Sequence, residues 1–172
     1  MHLMSTVLDA RTLIAMSTDC ACFNVRKAAR ALTAFYDRAL APTGLRATQA
    51  TLLVALARAG DVPVSRLAGI LGMDRTTLTR NLEPLVRDGL VAVRPGPDRR
   101  VKLAGVTEAG RKALAAAMPL WREAQRQIAE GTGVGRWDAL RQELGRITAL
   151  ADEAAGGAAE PDEGRTHHRR KS

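Results

Sequence analysis

The chain has 172 residues, a formal net charge of +8, a pI near 10.7 and a hydrophobic content of 46%, enough for one domain with a core or for a small domain plus an oligomerisation arm. No apolar run approaches the roughly 20 residues of a membrane-spanning helix. Two cysteines are too few for a disulfide framework, and aromatics at 3% leave little for stacking on single-stranded bases.

The positive excess has a place and a type. From Pro63 to Lys112 there are ten Arg or Lys against five Asp or Glu, and arginine outnumbers lysine 22 to 4 over the whole chain. Arginine makes forked contacts to phosphates and guanine edges that lysine cannot copy. An acidic polymer is the expected partner.

Met1 to Met16 lacks the basic and apolar regions of a secretory signal, and the chain reads as cytoplasmic, with no membrane partner. Ser17, Thr18 and Asp19 are helix-capping types and the pattern before them is weak. Residues 1–18 are therefore expected to be a mobile extension, with Met16 as an alternative start. From Phe23, the residues Ala28, Leu32, Phe35, Tyr36 and Leu40 fall at helical spacing up to Pro42 and Gly44. A second amphipathic segment covers Thr48 to Arg58, and Pro63 opens a short third helix that Gly72 closes.

Asp74 can cap the next helix, which places Leu78, Leu82, Leu85 and Val86 on one side and Arg75, Thr76, Thr79, Arg80 and Arg87 largely on the other. Two helices joined through a glycine turn form a helix-turn-helix signature. Pro84 removes one helical hydrogen bond and predicts a kink. Leu90 to Arg94 and Val101 to Val106 then alternate around the turn Pro95-Gly96-Pro97-Asp98-Arg99-Arg100, a two-stranded β wing with a basic tip. Thr107 caps a long helix running to about Glu130, with a bend expected at Pro119. In the last helix Trp137, Leu140, Leu144, Ile147 and Ala151 recur at the 3–4 spacing of a helix-packing seam.

The fold class is mainly α: a winged helix-turn-helix over 48–106, flanking helical regions over 19–47 and 107–153, and a disordered basic tail over 154–172. His167 and His168 in that tail lack further ligands, so no metal site and no cofactor are expected.

The combination Thr48-Gln49, Leu67-Ala68, Asp74-Arg75-Thr76-Thr77-Leu78-Thr79-Arg80, Asp88-Gly89-Leu90-Val91, Asp98-Arg99-Arg100 and Thr107-Glu108-Ala109-Gly110 resembles the multiple antibiotic resistance regulator (MarR) family of winged-helix transcription factors. The resemblance covers about Cys22 to Ala151. It implies a homodimer built on the first helix and the last two, a helical dimerisation region over 19–47 and 107–153, with each winged-helix lobe on one half of a pseudo-palindromic operator in double-stranded DNA. Arg75, Thr76, Thr77, Thr79 and Arg80 would then enter the major groove, where Arg80 suits a guanine and the threonines suit phosphates. At the wing, the resemblance implies that Asp98 orients Arg100 toward the minor groove, with Arg99 and Lys102 on phosphates.

Cys20 and Cys22 are the candidate input. On a helix, residues two apart point about 200° away from each other, which disfavours a disulfide between them. The stretch Cys22 to Tyr36 resembles the first helix of the organic hydroperoxide resistance regulator (OhrR) branch. There a cysteine at the position of Cys22 is the peroxide-sensing thiolate, and a tyrosine at the position of Tyr36 hydrogen-bonds it across the dimer. A helix N-terminus with Arg26 one turn on favours oxidation of such a thiol to a sulfenic acid. Two other tyrosines of that branch correspond to Arg26 and Ala47, and no distant C-terminal cysteine is present, so only Cys20 or a small thiol can resolve the oxidised form. Cys22 as a small buried hydrophobe of the dimer core, and a metal or arsenite site shared with a second subunit, are the other readings. A competing input is a small aromatic anion neutralised by Arg26, Arg30 and Arg46.

Three function classes compete. A dimeric, sequence-specific regulator, most often a repressor in this family, accounts for the recognition-helix pattern. An enzyme is poorly supplied, with no Gly-rich phosphate loop, no Ser/His/Asp ordering, and only His2 before His167. A nonspecific DNA-compacting protein is the alternative, separable by competition with unrelated DNA.

Overall fold

A computed structural model describes residues 9–98 and 100–156, and the chain divides into two compact units, Met1–Gln125 and Arg126–Ser172. The first unit runs α1 (Ala10–Thr18), α2 (Ala21–Leu40), a 3-10 turn (Ala41–Thr43), α3 (Ala47–Ala59), β1 (Val62–Pro63), α4 (Val64–Ile70), α5 (Arg75–Arg87), β2 (Val91–Pro95), β3 (Lys102–Val106) and most of α6 (Glu108–Thr132). The second holds the end of α6 and α7 (Val134–Gly156). Among the described residues no helix is long and apolar enough to cross a membrane.

The fold is a winged helix-turn-helix with flanking helices, as the sequence pattern predicts, and three elements correct that pattern. Residues 10–18, expected in an extension, form α1, whose N-cap Asp9 accepts the Thr12 N–H at 2.7 Å. Ser17 and Thr18 do not cap the following helix: their hydroxyls donate back to the Ile14 carbonyl at 2.8 and 3.0 Å, the local bond that competes with capping. Cys20 is the N-cap of α2 and makes no side-chain cap bond. The Asn24 side chain bridges the junction, donating to the Thr18 and Cys20 carbonyls.

The second correction is the sheet, which is three-stranded and antiparallel in the order β1-β3-β2. The sequence predicts two strands and starts a helix at Pro63, but Val62 and Pro63 pair with Ala104 and Leu103. A strand of two residues carries no alternation to read. Thirdly, α7 runs to Gly156, so the helix takes in the first residues of the expected tail. The rest of that tail, with His167 and His168, lies outside the described residues, as does Arg99.

The capping chemistry explains several of the motif residues. Gln49 accepts the Arg46 N–H at 2.9 Å and Asp37 accepts the Ala47 N–H at 2.7 Å, which starts α3. Thr107 donates its hydroxyl to the Gly89 carbonyl at 2.7 Å and accepts the Gly110 N–H at 3.0 Å, which ties the start of α6 to the turn before β2. Gly110 is required there because a Cβ would collide with the Leu90 carbonyl oxygen.

One core holds the first unit together. Leu52, Leu53 and Leu56 of α3, Leu67 of α4, and Leu78, Leu82 and Leu85 of α5 are buried with Val62, Val91 and Ala104 of the sheet. Leu40 and Ala117, from the helices before and after the lobe, belong to the same core. The leucines of α5 are therefore committed inward, and this leaves its charged face outside. The helix runs unbroken through Pro84 to Arg87.

Candidate nucleic-acid interface

Asp74 sets where the outward face of α5 begins. Its carboxylate accepts the Thr77 N–H at 2.8 Å and the Thr77 hydroxyl at 2.6 Å, the side-chain bond first and the backbone bond second holding it below the usual aspartate value. A cap that keeps its charge at the helix start is favoured by the helix dipole. Arg75, Thr76, Thr77, Thr79 and Arg80 are all exposed.

The wing is built by a second side-chain-to-backbone device. Gly96 N–H donates to the Val101 carbonyl at 2.7 Å, Val101 N–H donates to the Asp98 carbonyl at 2.9 Å, and the Asp98 carboxylate accepts the Arg100 N–H at 2.9 Å. Asp98 thus fixes the main chain at Arg100.

α5 and the wing converge on one groove of about 690 Å³. Arg75, Thr79, Glu83 and Arg87, four residues apart along α5, form one wall, and Arg100, Val101 and Lys102 enter from the wing. Four of these residues are cationic and one, Glu83, is anionic. Spacing of four keeps them on one stripe, so the groove presents a row of positive charge interrupted by a single carboxylate.

A MarR family model matches residues 43–100 of this chain. The transcriptional regulator MosR of Mycobacterium tuberculosis, solved in complex with DNA, is 45% identical over 78% of this chain and 98% of its own, with a TM-score of 0.71. The chain belongs to the MarR family. A probable transcriptional regulator from Pseudomonas aeruginosa is 30% identical over 75% of this chain and 97% of its own, TM-score 0.69. A cysteine-to-serine variant of E. coli MarR bound to operator DNA shares the fold at 20% identity, covering 81% and 98%, TM-score 0.70. Comparison with curated protein sequences returned no match. This MarR-family chain is a DNA-binding transcriptional regulator; its family and relatives are regulators, not enzymes.

Of the sequence-predicted contacts, Arg75, Thr79, Arg100 and Lys102 share the groove, whereas Thr76, Thr77 and Arg80 do not line it. Thr77 and Thr79 use their hydroxyl protons within α5, on Asp74 and on the Arg75 carbonyl at 2.8 Å, so in the free protein they offer acceptor lone pairs rather than donors. Glu83, Arg87 and Ser65 also line the groove; the sequence pattern places Arg87 on the outward face of the helix but assigns none of the three to DNA. The i, i+4 spacing from Arg75 carries the signal for the first two.

The candidate sensing residues sit elsewhere. Cys20 and Cys22 are exposed, and Cys20 is the N-cap of α2, its backbone extended and its carbonyl accepting the Asn24 N–H at 3.1 Å. Tyr36 donates its hydroxyl to Gln125 at 2.7 Å, packs edge-on to Phe35, and is pushed above the ordinary tyrosine value by burial. Tyr36 also lines a cavity of about 450 Å³ with Leu32, Thr33, Thr51, Val54 and Trp121. Arg26, Arg30 and Arg46 do not line that cavity. Among the described residues no group of three His, Cys, Asp or Glu is placed to hold a metal ion.

Proposed function

We propose that the protein acts as a homodimeric repressor. Each copy lays the groove between α5 and the wing on one half of a pseudo-palindromic operator, with Arg75, Thr76, Thr77, Thr79 and Arg80 at the major groove and Asp98, Arg99, Arg100 and Lys102 at the wing. The observation that carries this reading is the convergence of the α5 stripe and the wing base on one basic groove. The dimer reading is supported by α7, where Leu140, Leu144 and Ile147 are 45%, 37% and 44% exposed in the single chain. Those exposed positions, with half-buried Trp137, are the predicted seam. The test is to recover genomic fragments bound by the protein and measure stoichiometry on the shortest bound duplex. Two chains on inverted half-sites about one helical turn apart are expected, and Leu144→Asp should abolish the two-chain complex. One chain on a non-repeated site overturns the reading.

The signal is assigned to thiol oxidation at Cys22. Peroxide transfers one oxygen to the Cys22 thiolate, releasing the alcohol or water, and the Cys20 thiol then displaces water from the sulfenic acid to form a disulfide. Both thiols are exposed, and Cys20 stands at the N-cap with an extended backbone. Cys22→Ser should hold DNA during titration with an organic hydroperoxide; release as in the parent protein excludes the cysteine. A second reading, a small aromatic effector, is favoured by the cavity beside Tyr36 and Trp121. Its lining makes it a site for a ligand without a charge to neutralise.

A further inference from the structure

Arg94 is one of the ten basic residues between Pro63 and Lys112 and, by composition, a candidate phosphate contact. Its side chain is used differently. The Arg94 guanidinium Nη2 lies 2.6 Å from the Asp61 carboxylate, and Asp61 directly precedes β1. Arg94 is on β2, while β3 lies between β2 and β1. The pair therefore spans the whole sheet, and its path crosses β3 at Gly105. The register explains how: Gly105 pairs with Ala92, and Leu103 pairs with both Arg94 and Pro63. Alternation puts Asp61, Gly105, Ala92 and Arg94 on one face. That face is opposite the one on which Val62, Val91 and Ala104 are buried. A Cβ on Gly105 would collide with the Asp61 Oδ1 atom and lie 3.7 Å from Arg94 Nη2. The space left by the missing side chain is the space the ion pair occupies.

We propose that Asp61 and Arg94 are positioning residues for DNA binding: their ion pair, seated over Gly105, braces the wing against the entry to the helix-turn-helix. β1 leads directly into α4 and then α5, and β2 leads into the wing loop. The pair therefore connects the two arms of the groove on the sheet face away from the core. The inference rests on that groove being the DNA-facing surface, which Arg75→Ala and Arg100→Ala test on their own; only the Asp61, Arg94 and Gly105 variants bear on the brace.

The two side chains are 61% and 49% exposed, so the pair biases the wing modestly, by about two- to fivefold per half-site. The test measures affinity and salt slope for a duplex selected by the parent protein from a randomised pool. Asp61→Ala is expected to weaken binding about two- to fivefold, although it removes a negative charge from a DNA-binding lobe. Arg94→Gln should weaken binding to the same degree with the parent's salt slope, and the double variant should be no weaker than either single one. Gly105→Ala, which displaces the carboxylate without altering any charge, should match them. Tighter or unchanged binding by Asp61→Ala overturns the proposal. So does a slope lowered by about one per chain in Arg94→Gln, because that is the signature of a phosphate contact.

Discussion

Replacing Arg100 by alanine removes one guanidinium from the groove of each chain while leaving the loop that carries it intact. The loop depends on the Arg100 N–H donated to the Asp98 carboxylate at 2.9 Å and on the Val101 N–H donated to the Asp98 carbonyl, and alanine keeps both. The change is therefore confined to electrostatics. Each neutralised phosphate contributes about 0.9 to the slope of log affinity against log salt, so two copies on one operator should lower the slope by about 1.8. At about 0.15 M salt that corresponds to about 1 kcal/mol per contact, or about thirtyfold for the dimer. Fluorescence anisotropy with a labelled operator duplex, from about 50 to about 300 mM salt, reads both quantities. An unchanged slope would refute the assignment of Arg100 to DNA, whatever happened to the affinity at one salt concentration.

Three further outcomes follow from the geometry. Asp74 is held below its ordinary value of 3.8 by Thr77, so its capping stabilises the fold above that value and is lost as pH falls through the lower folded one. Denaturant midpoints of Asp74→Ala and the parent should therefore differ at neutral pH and converge in acid; a constant difference would refute the linkage. Gly110→Ala drives a Cβ into the Leu90 carbonyl and should cost roughly 1–3 kcal/mol in urea unfolding. Glu83→Gln removes the one carboxylate among the groove-lining residues. It should raise affinity for unrelated DNA by about two- to fivefold and narrow the ratio to operator binding, and an unchanged ratio would show that Glu83 is a solvated bystander.

Most of the lobe was legible because its signals are local. Asp74 before an amphipathic run, the Pro-Gly-Pro-Asp turn between alternating segments, and Thr107 before the long helix each act within a few residues, and each occupies the predicted place. What escaped were features set across the chain. β1 is two residues long and exists only through its pairing with β3. The helix over 10–18 begins at an Asp9 cap within a stretch of weak periodicity. Cys20 and Cys22 look like interior members of one helix by spacing, and only the backbone at the junction of α1 and α2 shows that Cys20 is its N-cap.

The sequence by itself determined the class of this protein, since the placement of its arginines, the period of its leucines and its turn residues specify a basic winged helix whatever the distant contacts. Tertiary structure alone decided which charges act together. Arg75, Arg87, Arg100 and Lys102 meet because the inward leucines of α5 fix its rotation and the β2–β3 hairpin folds back beside it. Arg94, equally basic in composition, is turned to Asp61 across a glycine. Charge is a property of a residue type, but the partner a charge finds depends on strand register and helix rotation, and those are set by the packed core rather than by neighbours in sequence.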